Sequence, residues 1–392
     1  MRTCTTAALI VLLLITGTSS IVYGGLSVEE LNMNKALTAE GAQSLADQMW
    51  EEWKVKIAEE RREAIEQREI TVNDVSMKFW YTTYGEPVEG KRSLYISMHG
   101  GGNAPAELND QQWENQKQLY QPKEGIYLAP RAPRNTWNMW HEEHIDPLFD
   151  YLIESLVVLE NVDPNRVYLM GYSAGGDGVY QLAPRMADRF AAAAMAAGHP
   201  NETQPYGLRN LPFTLHMGGQ DSAYDRNKVA AEWRDWLAEL KEKDPEGYEH
   251  WVVIYPTYGH WMNRADATAV PWMAKYTRNP YPNRVVWLQD DVTHTRFYWL
   301  AIDPELQQER TMVIASIDGQ DIIIERSDVP RLKIRLHDKM LNLDEPVRVV
   351  MGDQVLFEGT VSRTAAAIAQ HFEERKDPES VYFAEIEVEI PN

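Results

Sequence analysis

The sequence predicts a mostly parallel α/β sheet flanked by helices, followed by a C-terminal β-sandwich. Three observations carry this. Short apolar runs alternate with helical spacings between residues 94 and 255. The glycine-rich turns of this region each follow directly on one of those runs. Beyond the Pro-punctuated stretch Asn279-Pro280-Tyr281-Pro282 the runs turn short and β-like. At 392 residues the chain exceeds what one core usually absorbs, so more than one domain is expected.

Taken in order, residues 27–70 read as helical, with a capping-box start at Ser27-Val28-Glu29-Glu30 and a charge-dense, solvated face from Glu59 to Glu69. Val72 to Tyr84 reads as an edge strand or hairpin. Buried strands are expected at Leu94 to Met98, Gly125 to Pro130, Val167 to Met170, Phe190 to Ala197, Pro212 to Met217 and Trp251 to Tyr255. Helices are expected at Pro147 to Glu160, after Ser173, and over 224–243. Further β runs cover 285–288, 295–302, 312–317, 322–325, 332–336, 347–351, 355–358 and 381–390, with hairpin turns at Asp318-Gly319 and Gly352-Asp353. The expected division is a leader at 1–24, a helical segment at 25–70, a catalytic domain at 71–279 and a β-sandwich at 280–392.

Charge and cysteine usage narrow the function. The formal net charge of −21 argues against nucleic acid or an anionic membrane as partner. Arg2, the apolar run Ala7 to Ile15 and the small residues that follow predict a cleaved signal peptide, hence a secreted or periplasmic protein without stable membrane insertion; an uncleaved anchor is the alternative. The single cysteine, Cys4, would leave with that leader. Thiol nucleophiles, disulfides and zinc–thiolate sites are then excluded.

The candidate chemistry sits at the strand ends, where open α/β sheets gather their sites. Gly171-Tyr172-Ser173-Ala174-Gly175 lies between an apolar strand and a helix, the context of a nucleophile elbow. His99-Gly100-Gly101-Gly102 follows an earlier strand; Gly101, Gly102 and Ala174 would offer N–H groups to an oxyanion. Asp221 follows the strand ending at Met217, and His260 the strand ending at Tyr255. Serine is a weak nucleophile until a base takes its proton, and an imidazole needs an acid to fix its tautomer. The order Ser173, Asp221, His260 is that of the α/β-hydrolase fold. Asp177 and Asp225 are rival acids; His199 and His216 are rival bases. Trp137, Trp140, His141 and Trp261 are candidate substrate-cleft residues, because loops at this end of a sheet carry specificity. His141-Glu142-Glu143-His144 lacks the spacing of a zinc helix, so no metal is expected, and no cofactor.

These motifs resemble bacterial secreted α/β-hydrolases of the dienelactone-hydrolase, polyhydroxybutyrate-depolymerase and feruloyl-esterase-like group, and are similar to prolyl-oligopeptidase-type predicted peptidases, over roughly residues 75–275. The resemblance implies Ser173 as nucleophile, Asp221 and His260 as its partners, and an oxyanion hole from Gly101, Gly102 and Ala174. Serine stands where dienelactone hydrolases carry cysteine, and residues 27–70 are too few for a propeller. The expected function is a secreted serine carboxylester hydrolase acting on a small-molecule or polymer-linked ester, such as an acylated polysaccharide. A serine peptidase is the alternative; a non-catalytic binding protein on the same fold would be missing a triad residue, and none is missing.

Overall fold

The computed structural model describes residues 33–391 and, before them, two short backbone segments at 22–23 and 26–27 that pair antiparallel. Apart from these segments, the expected signal peptide and the residues Val28 to Glu30 lie outside the described residues. Ser27 stands in the second segment, so the first helix does not start there. It starts at α1 (Ala39–Gln67), where the Thr38 side chain accepts the Gly41 N–H at 3.1 Å. Ala42, Leu45, Ala46 and Met49 form its buried stripe.

The eight-stranded sheet comprises β1 (Glu69–Val72), β2 (Val75–Tyr84), β3 (Arg92–Met98), β4 (Gly125–Pro130), β5 (Val162–Tyr172), β6 (Ala192–Ala196), β7 (Phe213–Gly218) and β8 (His250–Tyr255). Its spatial order is β8-β7-β6-β5-β3-β4-β2-β1, antiparallel at β1/β2 and β2/β4 and parallel elsewhere. The helices between strands are α2 (Ala106–Gln116), α3 (Ile145–Leu159), α4 (Ala174–Arg185) and α5 (Arg226–Lys243), with a short α6 (Ala269–Met273) after β8. β3, β4, β6 and β7 are almost wholly buried, which is why they read as continuous apolar runs. The strand order reverses between β3 and β5, and the C-terminal ends of these strands carry the glycine-rich turns.

The C-terminal region forms two sheets. One holds β9 (Arg284–Leu288), β12 (Met312–Asp318), β13 (Asp321–Ser327), β15 (Val347–Met351) and β16 (Gln354–Gly359). The other holds β10 (Arg296–Phe297), β11 (Leu300–Ala301), β14 (Arg331–Leu336) and β17 (Ala384–Glu389). The run 295–302, expected as one strand, is a hairpin, because Tyr298 takes a left-handed φ of 52° and its hydroxyl donates to the Ala187 carbonyl at 3.0 Å. A helix, α7 (Ala365–Arg375), interrupts this β region; Thr364 caps it and Ala365, Ile368 and Phe372 bury one face.

A knot of buried charge ties these parts together. Arg189, in the turn after α4, is almost fully buried and meets Asp150 of α3 at 2.6 Å and Asp377, just past α7, at 3.4 Å. Arg278 reaches Asp377 at 2.7 Å, Arg375 reaches Asp188 at 3.0 Å, and Arg61 of α1 reaches Glu154 of α3 at 2.9 Å. Burial alone would raise the Asp377 carboxyl; Arg278 and Arg189 outweigh it and hold the group below the usual carboxylate range. Asp150 behaves likewise: burial opposes, but Arg189 and its neighbours bring it down to about 2.

Removing one partner from such a knot strands the others. Arg189→Met should lower unfolding free energy by about 3–5 kcal/mol in urea titrations. Asp150 has a depressed folded pKa, so its contribution is complete above the unfolded value near 3.8 and is lost as pH falls towards about 2. The wild-type urea midpoint should therefore drop across that window, and the variant's should drop less.

Candidate active site

Ser173 follows β5 and precedes α4 with φ 59° and ψ −122°. Its own N–H donates to the Ala196 carbonyl at 2.9 Å, and its carbonyl accepts the Asp177 N–H at 2.9 Å. A Cβ on Gly175 would run into the Met98 carbonyl, so α4 can start this close to β3 only with glycine there. The geometry aims the hydroxyl away from the sheet and leaves the Ala174 N–H in the first turn of α4, where no carbonyl of the helix can take it.

The structure brings three of the predicted residues into one line. Ser173 Oγ lies 2.9 Å from His260 Nε2, and His260 Nδ1 lies 2.7 Å from Asp221 Oδ2. The Asp221 side chain is 2 % exposed and that of His260 is 44 % exposed. A buried carboxylate accepting Nδ1–H leaves Nε2 as the acceptor for the serine proton. Asp221 is fixed by its own backbone, its N–H donating to the Gly218 carbonyl at 3.0 Å and its carbonyl accepting the Asn227 N–H at 3.0 Å.

The rivals are engaged elsewhere. Asp225 pairs with Lys228 at 2.6 Å on the surface. Asp177 accepts the His199 N–H at 2.6 Å, and burial pushes its carboxyl up to about 6. His199 Nδ1 accepts the Asn201 N–H. His216 lies within β7 against Thr214 and Tyr255, and burial lowers it to about 4. His99 is buried, which lowers it to about 3; its Nε2 accepts the Ala132 N–H at 3.2 Å, so Nδ1–H donates to the Gly100 carbonyl at 2.6 Å.

The turn and the cleft differ from expectation at four residues. Gly102 does not offer its N–H towards Ser173, because that group donates to Asn109 Oδ1 at 2.8 Å. Asn109 itself is locked by Ala104, Pro105 and Asn135, so the turn is held in shape from behind. Gly101, with φ 115°, lines the pocket beside Ser173. Trp140 is not a cleft residue. It is fully buried against His99 and Phe149, with Nε1–H donating to the His99 carbonyl at 2.8 Å.

His141 is also buried, and burial lowers it to about 4. Trp137 is 57 % exposed, packs edge-on to His141, and lies outside the pocket that contains Ser173. Trp261 is 50 % exposed and does line that pocket. In the His-Glu-Glu-His stretch, Glu142 is taken up by Arg134 and Thr136. Among the described residues, Glu202, Asp290 and Asp291 bring carboxylates within 4.8 Å of one another, but Arg310 and Thr203 already bond Asp290.

The pocket has a volume of about 730 Å³ and is floored by Gly100, Gly101, Tyr172, Ser173 and His260. It is also lined by α2 and the segment after it, with Leu108, Gln112, Asn115 and Gln118, none of which the sequence singled out. Arg264, four residues beyond His260, also lines it, and that spacing was its only sequence signal. Among the described residues no helix is long and apolar enough to cross a membrane.

No curated protein matches the sequence. Among solved structures, the chain is similar to a thermostable esterase at 18% identity and TM-score 0.43, over 54% of this chain and 62% of that one. It is similar to the acylaminoacyl peptidase of Pyrococcus horikoshii at 14% and 0.39, over 54% and 41%. The feruloyl esterase module from Clostridium thermocellum matches at 14% and 0.36, over 53% and 86%. The chain thus spans less than two thirds of the first two. Residues 118–281, less than half of the chain, match the family model described as "Dienelactone hydrolase family".

Proposed function

We propose that the protein is a serine hydrolase of carboxylic esters, working through an acyl-enzyme on Ser173. The observation that supports this most directly is the line Ser173 Oγ, His260 Nε2, His260 Nδ1, Asp221 Oδ2, with steps of 2.9 and 2.7 Å, opening into the pocket. In this reading His260 Nε2 takes the Ser173 proton as Oγ attacks the ester carbonyl, and Asp221 stabilises the imidazolium. The carbonyl oxygen becomes an oxyanion held by the Ala174 N–H, at the positive end of α4, and by the Gly101 N–H. His260 returns the proton to the leaving alcohol. Water then enters, His260 takes a proton from it, and attack on the acyl-enzyme releases the acid and restores Ser173.

Trp261 and Arg264 flank the acyl site, one offering an aromatic face and the other a positive charge. Arg2 and the apolar run Ala7 to Ile15 support export of the enzyme. The substrate is then an ester met outside the cytoplasm, small or carried on a polymer.

A fluorophosphonate probe should label the wild type and fail to label Ser173→Ala; label retained in that variant overturns the assignment. Asp221→Asn should lower kcat by about 10⁴ without unfolding the protein, because the imidazole is left in the wrong tautomer. Nitrophenyl acetate should be hydrolysed and aminoacyl nitroanilides should not. The reverse pattern would make the enzyme a peptidase. Trp261→Ala should raise KM for aryl esters roughly tenfold with kcat little changed, the signature of lost uniform binding.

A further inference from the structure

The segment that carries His260 is tied to the end of β7, where the Gln220 N–H donates to the Tyr258 carbonyl at 2.9 Å. Gly259 precedes it, and a Cβ built there would meet nothing within 4 Å. His260 is half exposed. The backbone on either side is nevertheless fixed, and one side chain reaches both ends. The Tyr172 hydroxyl donates to the His260 carbonyl at 2.6 Å and accepts the Met262 N–H at 3.0 Å. The Tyr172 ring lies against Trp261, centroids 5.5 Å apart, and edge-on to His260 at 6.1 Å. Tyr172 is the residue before the nucleophile, and its own backbone is pinned in the sheet by the pairing of β5 with β6, where it faces Ala196.

We propose that Tyr172 is a positioning residue. Its hydroxyl clasps residues 260–262 and so fixes His260 Nε2 relative to Ser173, the neighbour of Tyr172 in the chain. This rests on the reading of Ser173 and His260 as nucleophile and base. The nucleophile and the clasp share one strand end, so the clasp ties the backbone of residues 260–262 to the residue next to Ser173. Burial raises the Tyr172 phenol well above its ordinary value, so it stays protonated and able to donate. Met262 is fully buried. Without the hydroxyl, its N–H and the His260 carbonyl lose their partner, and the loop must shift to find others.

A displacement of about 1 Å between base and nucleophile costs about 10²-fold in rate. Tyr172→Phe keeps the ring and should lower kcat by about 10- to 100-fold on nitrophenyl acetate, with KM within about threefold. The decisive comparison repeats the substitution in a His260→Ala background. With no imidazole to position, Tyr172→Phe should change the residual rate less than twofold. A kcat in the single variant within twofold of wild type overturns the proposal. So does an undiminished loss in the His260→Ala background, which would place the effect on Ser173 or the oxyanion donors.

Amide exchange in the intact wild type tests the clasp independently of any variant. The Met262 amide should exchange far more slowly than that of Trp261, and equal rates would overturn the proposal. If Ser173→Ala keeps full activity, it is the underlying serine-hydrolase reading that fails, whatever the exchange data show.

Discussion

Ser173 holds φ 59° and ψ −122°, a backbone state that costs an L-residue of order 1–3 kcal/mol and persists only where its surroundings over-determine it. Here they do. The residue before it is paired in the sheet, its N–H bonds to the next strand, its carbonyl begins the ladder of α4, and Gly175 lets that helix press against the end of β3. The same strain that lifts the hydroxyl clear of the sheet points the Ala174 N–H outward. In the proposed reaction, donor and nucleophile are therefore set by a single turn, and neither needs a moving part to meet a substrate.

Such a turn is only as rigid as the layers behind it. α4 ends at the turn that carries Arg189, and Arg189 is shared among Asp150, Glu154 and Asp377. Replacing buried ion pairs by apolar packing often costs nothing, so the knot is not explained by stability alone. It has a directional role that apolar packing lacks. Guanidinium forks fix the angles at which α3, the end of α4 and the segment after α7 meet, and Arg278 draws the approach to the β-rich region onto the same carboxylate. Burial lowers Arg375 to about 10, still far above neutral pH, so its guanidinium keeps its charge there.

The legible parts of the sequence were those with one dominant local cause. Strands β3, β4, β6 and β7 announce themselves because both faces are buried, and Ser173, Asp221 and His260 follow strand ends. What was not legible depends on partners distant in sequence. Gly102 looks like an oxyanion donor until Asn109 takes its N–H. Trp140 and Trp137 are three residues apart in one loop, yet one fills the core under His99 and the other stands in solvent; only the packing of α3 and α4 decides which. Thr364 and the alanines after it form a capped start for α7, but β runs on both flanks mask it in the sequence. Ser27 offers a cap as good as that of Thr38, yet α1 starts only at Ala39.

The histidines show how one residue type is sorted by its surroundings. His99, His141 and His216 are buried, and desolvation lowers them to between about 3 and 4, so they stay neutral and serve as fixed hydrogen-bonding or packing groups. In the proposed reaction the base must become an imidazolium and lose that charge again within each turnover, which such a place does not permit. His260 sits instead at the water's edge, 44 % exposed, with a buried carboxylate on its far nitrogen. Exposure has a mechanical cost, since a loop at the surface is free to drift. Hydroxyls on neighbouring strands and loops offset that freedom. Tyr172 holds residues 260 and 262, Tyr255 donates to the Ala265 carbonyl at 3.0 Å, and Tyr120 donates to Asp266. The proposed chemistry asks for a solvated ring and a fixed backbone together, and these phenols allow one residue to have both.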